Sequence, residues 1–342
     1  MSGFTVGLAI IGGLILAALV AWNAWSTRRN TPRQPEAMRM DPTDSTVQTR
    51  PEPVFDPLAA PVVLATTEKR PGLDALIDVL APIGIESPVS GEAALAAMPP
   101  TRRAGSKPFA IEGQNEATRQ WETPQAGQRY GAFQAGVQLA NRTGALNEIE
   151  YSEFVGKAQS FADAINGSPD FPDMMEEVAR ARELDQFASA HDAQLSFTLR
   201  AKNTAWSPGY LQQNAARIGF VPGAIPGRMV LPAGTAGSPA VLGLAFDSQA
   251  AMADDPAQSA LREITLSLDV PQVDRSEQPF VRMRDVAITL AASMEGAITD
   301  DNGEVIRAEA LDVIGADLEQ LYDTLEARDL AAGSPLARRL FS

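Results

Sequence analysis

From Phe4 to Trp25 the chain runs for 22 residues without a charged side chain. A helix of that length spans roughly 33 Å, enough to cross the hydrocarbon core of a bilayer. This run constrains the fold of everything after it, because the remaining sequence is too polar to follow it into lipid. Trp22 and Trp25 suit the aromatic belt at a membrane surface, and Arg28, Arg29 and Arg33 follow directly. No lysine or arginine precedes the run. The positive-inside bias therefore expects residues 1–3 outside, residues 4–25 as a transmembrane helix, and the bulk in the cytoplasm. A cleaved signal peptide would need a basic leading region and an apolar core of about 7–15 residues, and neither is present. "GFTVG" at residues 3–7 fits a small-xxx-small pattern at the edge of the span and leaves self-association open.

The net charge is −15, and the first 40 residues hold four arginines and one glutamate, so the remainder carries −18. Such a surface repels phosphate backbones, and no basic stripe offsets it, which argues against nucleic-acid binding. The absence of cysteine removes disulfides and thiolate metal sites, and His191 is the only histidine. Imidazole triads and multi-histidine metal sites are thereby nearly excluded, whereas carboxylate chemistry stays open. "NRT" at Asn141 and "NGS" at Asn166 read as chance matches to a glycosylation acceptor if the bulk is cytoplasmic.

Residues 26–70 read as a linker, with Pro32, Pro35, Pro42, Pro51, Pro53, Pro57 and Pro61 among polar neighbours and no apolar period. Periodic sequence follows. "LDALIDVLAPI" (73–83) alternates as a strand, "SGEAALAAM" reads as a short helix, and "KPFAIEG" and "YGAFQAGVQLA" (130–140) as strands. Phe154, Ala158, Phe161 and Ile165 share a helical face that Gly167 closes, and a further helix runs from about Asp173 to Ala190. "AQLSFTLRA" (193–201) sets Leu195, Phe197 and Leu199 against Gln194, Ser196 and Thr198. Ser207 and Pro208 open a helix, short strands lie near "RMVLP" and "AVLGLAF", and "ITLSLDV" (264–270) alternates again. Two helices close the chain, one on Phe280, Met283, Ala287 and Leu290, the other on Leu311, Ile314, Leu318, Leu321 and Leu325. The expected class is α+β: a membrane helix, then an antiparallel-rich sheet with helices packed on one face. The order strand, helix, strand, strand, helix occurs twice, from about 73 to 166 and from about 193 to 295, which reads as a degenerate tandem.

"ITLSLDVPQVDRSEQPFVRMRDVAITLAASMEGAITDDNGEVI" resembles the closing unit of ZipA-type cell-division proteins. There a strand ends in a Val-Pro dipeptide, a helix follows, and a short strand leads through an Asp-Asp turn into a last helix. "LSFTLRA", "PGYLQQNAARIGF" and "GSPAVLGLAF" are similar to the same family's first strand, first helix and hairpin. The resemblance covers residues 193–330 and the leading 60 or so; residues 71–192 form an α+β region of open role, and 331–342 a tail. It implies a single-pass adaptor in the bacterial inner membrane at the division septum. Such an adaptor tethers filaments of FtsZ, the tubulin-like division protein, by gripping the FtsZ C-terminal peptide on an exposed sheet face. No cofactor, metal or catalysis is implied.

The corresponding groove positions are Gln194, Ser196 and Thr198, Ala245 and Asp247, and Ser267. The family's groove is apolar and these are mostly polar. The peptide then binds through hydrogen bonds, or the groove lies on the 73–140 strands, or the partner is a different peptide, or the face is merely solvated. Catalytic motifs do not compete strongly. No phosphate loop or dinucleotide fingerprint occurs. "TDDNGE" (299–304) lacks calcium-loop spacing and reads as a turn. Asp254 and Asp255 read as surface charge, and His191 as a helix-closing residue. A membrane-bound carboxylate hydrolase is the remaining enzymatic alternative, and "SPLARRLFS" reads as a packed cap or a short recognition peptide.

Overall fold

A computed structural model describes residues 32–35 and 72–342, apart from 236, 254, 256–258 and 301–302. The described chain falls into two compact units. The first comprises residues 69–193, 270–276 and 316–342; the second comprises 194–269 and 277–315, and the stretch 32–35 belongs with it.

In the first unit the elements run β1 (Asp78–Ile85), β2 (Val89–Ser90), α1 (Gly91–Ala97), β3 (Arg103–Ala104), β4 (Lys107–Asn115), β5 (Trp121–Glu122) and β6 (Arg129–Gln138). The small pair β7 (Ala140–Asn141) and β8 (Gly144–Ala145), α2 (Glu148–Ala164), β9 (Gly167–Pro169) and α3 (Met174–His191) follow. The antiparallel sheet has the order β3-β4-β6-β1-β9. Helix starts are written locally. The Ser90 hydroxyl accepts from the Ala93 N–H, Asn147 and Glu150 close a capping box on α2, and Asp173 accepts from the N–H groups of Met175 and Glu176. Each such cap is worth about 1 kcal/mol. Val79, Ala81, Ile83, Phe109, Ile111, Phe133, Ala135 and Val137 are buried on one face of the sheet, beneath Phe154, Ala158 and Phe161 of α2. Phe133 and Phe161 meet edge to face at 5.3 Å, so the period-2 and period-3.6 patterns converge on one core.

The second unit runs β10 (Gln194–Ala201), α4 (Pro208–Arg217), β11 (Val221–Pro222), β12 (Arg228–Leu231), β13 (Leu242–Ala245), α5 (Ser248–Ala251), β14 (Glu263–Asp269), α6 (Pro279–Ser293) and β15 (Gly296–Thr299). Then comes α7 (Ala308–Glu326), whose residues from Ala316 onward belong to the first unit, as does α8 (Pro335–Leu340). The sheet order is β11-β12-β13-β14-β10-β15. Trp206 is fully buried and donates its indole N–H to the Met294 carbonyl at 2.8 Å. Beside it, in sequence that reads as linker, Arg33 exchanges backbone hydrogen bonds with Ala205 and Ser207 and pairs with Glu295 at 2.5 Å.

The two units share one wiring, register by register. Asp78 faces Gln138 in the first and Gln194 faces Asp269 in the second. Ile83 pairs with Pro169, and Leu199 with Ile298. Val89 pairs with Tyr130, and Trp206 bridges Leu261. Ser90 and Ser207 cap the first helix of each, and after α2 and α6 a left-handed residue, Asn166 or Glu295, turns the chain into the closing strand. Each unit is therefore strand, helix, strand, strand, helix, strand.

The structure corrects the expected architecture. Among the described residues no helix is long and apolar enough to cross a membrane. The longest, α7, carries Glu309, Asp312, Asp317, Glu319, Asp323 and Glu326 along its length. The span expected at residues 4–25 lies outside the described residues, as do Trp22, Trp25, Arg28 and Arg29. What is described is α+β with antiparallel sheets. The strand expected at 73–83 is shorter at its start, because the Asp74 side chain accepts from the Leu76 N–H and its carbonyl from the Ile77 and Asp78 N–H groups, making a turn. The left-handed residue that ends α2 is Asn166 and not Gly167.

Candidate peptide-binding face

Strand alternation gives the second sheet two unlike faces. Phe197 and Leu199 of β10, Ile264, Leu266 and Leu268 of β14, Leu242 and Leu244 of β13 and Met229 and Leu231 of β12 are all buried on the core side. The other face is built from cross-strand rows. Ser196 stands opposite Ser267, Ser267 opposite Gly243, and Gly243 opposite Val230. The next row joins Thr299, Thr198, Thr265, Ala245 and Arg228. Gln194 and Asp269 form the row at one end, Arg200 and Glu263 the row at the other.

Five of the six expected groove residues therefore lie on a single face: Gln194, Ser196, Thr198, Ala245 and Ser267. Asp247 does not join the rows. It caps α5, its carboxylate accepting from the Gln249 N–H at 2.8 Å. Val230, Gly243, Thr265 and Thr299 share the face and were not singled out by sequence reasoning. Their alternation was legible, but which strands neighbour one another was not. Ser196, Thr198, Val230, Gly243, Ala245, Thr265 and Ser267 are all half-buried. A Cβ on Gly243 would stand 2.7 Å from the Ser267 hydroxyl oxygen, so the centre of the face stays shallow. Small side chains in two rows make a bed on which an extended segment can lie, with hydroxyls available to its polar groups.

Ionisable groups with displaced pKa values cluster instead in the first unit. Burial raises the Asp78 carboxyl, against the opposing effect of Arg339 beside it. Burial lowers the Lys107 ammonium, whose three hydrogens go to Asn141 Oδ1 (2.8 Å), Thr143 Oγ1 (3.2 Å) and the Gly144 carbonyl (2.6 Å). Asn141 is itself buried, its side-chain oxygen turned to the ammonium. A cavity of about 450 Å³ near these residues is lined by Arg142, Thr143, Asp185, Asp192 and Phe341 among others. Within it Arg142 chelates Asp192 through two hydrogen bonds of 2.8 and 2.6 Å. His191 stacks on Phe187 at 4.3 Å and hydrogen-bonds the Phe187 carbonyl, an arrangement that closes α3. Among the described residues no group of three or more histidine, aspartate or glutamate side chains is placed to hold a metal ion.

No family model matches this chain, and no curated protein matches it. The resemblance to ZipA-type proteins accordingly stands on the residues quoted above.

Proposed function

We propose that the chain is a non-enzymatic adaptor of the ZipA type, which binds the C-terminal tail of FtsZ on the open face of the second sheet and holds FtsZ filaments at the cytoplasmic membrane. The observation that carries this reading is the gathering of Gln194, Ser196, Thr198, Ala245 and Ser267 on one shallow face. A peptide laid on such a face gains modest contact, and a filament offering many tails compensates through avidity. The acidic chain suits a tail that carries lysine or arginine. The membrane side of the proposal rests on the sequence of the leading residues alone.

The test is fluorescence anisotropy of a labelled FtsZ tail peptide against the full-length chain. Saturable binding is expected, weakened by about tenfold or more in Ser196→Lys and Ser267→Lys, because a long charged side chain would stand in the middle of the bed. Affinity unchanged in both variants would remove the peptide from this face. A scaffold for a different peptide is the second reading, favoured by the hydroxyls of Ser196, Thr198, Thr265 and Ser267 in place of apolar groups. Saturable binding of the FtsZ tail decides against it.

A further inference from the structure

The first sheet shows what a face of this wiring does with a peptide, because its own chain lies across it. The Leu73 side chain rests on Gly136, where an added Cβ would meet Leu73 Cδ2 at 2.5 Å. The Leu73 N–H donates to Glu112 Oε1 at 3.0 Å, and Gln134 holds the other carboxylate oxygen at 2.9 Å. At the end of the face the cross-strand pair Asp78 and Gln138 grips Arg339. Arg339 Nη2 donates to Asp78 Oδ1 at 2.5 Å, and Gln138 Nε2 donates to the Arg339 carbonyl at 2.8 Å. The guanidinium also reaches the Gly72 carbonyl at 3.0 Å, tying the two covering segments together. One carboxylate reads the side chain and one amide reads the backbone of the same arginine. Both members of the pair are fully buried under it.

The shared register carries this arrangement onto the second sheet. Leu80 and Gly136 correspond to Ser196 and Ser267, and Pro82 and Gln134 to Thr198 and Thr265. Asp78 and Gln138 correspond to Gln194 and Asp269. The last row again holds one carboxylate and one amide directly opposite each other, with the two strands exchanged. Here the pair is at the surface: Gln194 is exposed and Asp269 half-buried. Nothing else on either face preserves its chemistry so closely between the two units.

We infer that Asp269 and Gln194 form a clamp for an arginine or lysine of the peptide that lies on the second sheet, the carboxylate taking the cationic group and the amide the adjacent backbone carbonyl. The inference rests on the proposed function for the identity of the peptide, but not for the chemistry of the clamp. A charged hydrogen bond at the end of the bed also sets the direction and register of the bound segment, which a flat row of hydroxyls cannot do by itself.

A coupling measurement tests it on the full-length chain. Labelled FtsZ tail peptide is titrated against the unaltered protein, Asp269→Asn and Asp269→Lys, with circular dichroism confirming the fold of each. The same set is repeated with a peptide whose basic residues are glutamine. Asp269→Lys is expected to weaken the parent peptide by about tenfold or more, and Asp269→Asn by less. Against the glutamine peptide, Asp269→Asn should change nothing. If the parent peptide binds and Asp269→Lys leaves its affinity unchanged, or if the protein and peptide changes multiply independently, the clamp is wrong and the adaptor stands. If the FtsZ tail does not bind at all, the adaptor falls, and the clamp is read with a synthetic peptide of residues 334–342, which carries Arg338 and Arg339. Binding of that peptide that is lost in Asp269→Lys keeps the clamp; no binding, or binding indifferent to residue 269, overturns it.

Discussion

Replacing Arg339 with alanine removes the cation from a carboxylate that has no exposure of its own. Asp78 is 0% exposed, and its partner's side chain is 19% exposed, so the pair is close to fully desolvated. Breaking a buried pair from one side costs about 3–5 kcal/mol, because the remaining charge stays in the interior without its counterion. Asp78 Oδ2 keeps one charge-assisted hydrogen bond, from the Asp74 N–H at 2.8 Å, which places the expected loss near the lower end, about 3 kcal/mol. The pH dependence has a definite sign. Burial already holds the folded-state pKa of Asp78 above its ordinary value, and removing Arg339 takes away the main opposing effect. A carboxyl with a raised folded pKa binds more protons folded than unfolded, so its contribution to stability falls as pH rises through the interval between the two values. The Arg339→Ala penalty should therefore be largest near neutral pH and shrink on acidification. Urea unfolding followed by circular dichroism, at about pH 7 and about pH 4.5, measures both, and Asp78→Asn in the same background should recover much of the loss. A penalty below about 1 kcal/mol at neutral pH, or a double variant no more stable than Arg339→Ala, would refute the reasoning.

Lys107→Met removes the three hydrogen bonds that the buried ammonium gives to Asn141, Thr143 and Gly144 and should cost about 1–3 kcal/mol in urea unfolding. Because burial lowers the folded-state pKa of Lys107, stability of the unaltered chain should rise with pH as the ordinary lysine range is approached, and that slope should flatten in the variant. Gly91→Ala would set a methyl 1.8 Å from the Gln125 carbonyl oxygen, a backbone atom that cannot turn aside; we expect a loss of about 1–3 kcal/mol, read as a lowered urea midpoint. Trp206→Phe keeps an aromatic side chain but removes the pyrrole ring and its N–H, which orphans the buried Met294 carbonyl, and faster amide exchange around β14 and α6 is the expected signature.

Much of this molecule was legible where one residue's physics settles the local structure. Ser207 followed by Pro208 announced α4, and the alternation of residues 194–201 and 263–269 announced two strands with their buried faces already chosen. Legibility failed where the partner is distant in sequence. Nothing local marks Lys107 as buried, since its acceptors lie more than thirty residues away in the β7–β8 turn. Arg33 reads as linker because its partners, Ala205 and Ser207, supply no periodicity to its own segment. The family resemblance puts Asp247 in the groove, but it lies past the end of β13, and its short side chain serves as a helix cap. The tail showed its amphipathic character but not its destination, because Asp78 sits 261 residues before Arg339.

The twofold order seen in the sequence was a pattern of element types, and its structural content is larger than the pattern. Identical register fixes which side chains stand opposite each other, so two faces with almost no residue in common can be compared position by position. That comparison explains a feature with no local cause: the first sheet buries Asp78, Glu112 and Gln138 on the side away from α2, where polar residues normally meet water. They are buried because Leu73 and Arg339 lie over them, and each is satisfied by the segment that covers it or by its neighbour in the sheet. On the second sheet the two middle rows, Ser196 with Ser267 and Thr198 with Thr265, are small and hydroxyl-bearing. A face of small polar residues can stay wet without a partner and can still give up that water to one. Reversible capture of a peptide from outside needs this balance, whereas a permanent cis cover does not. The difference between the two faces is thus what one wiring would require to serve as a closed core on one copy and as a binding surface on the other.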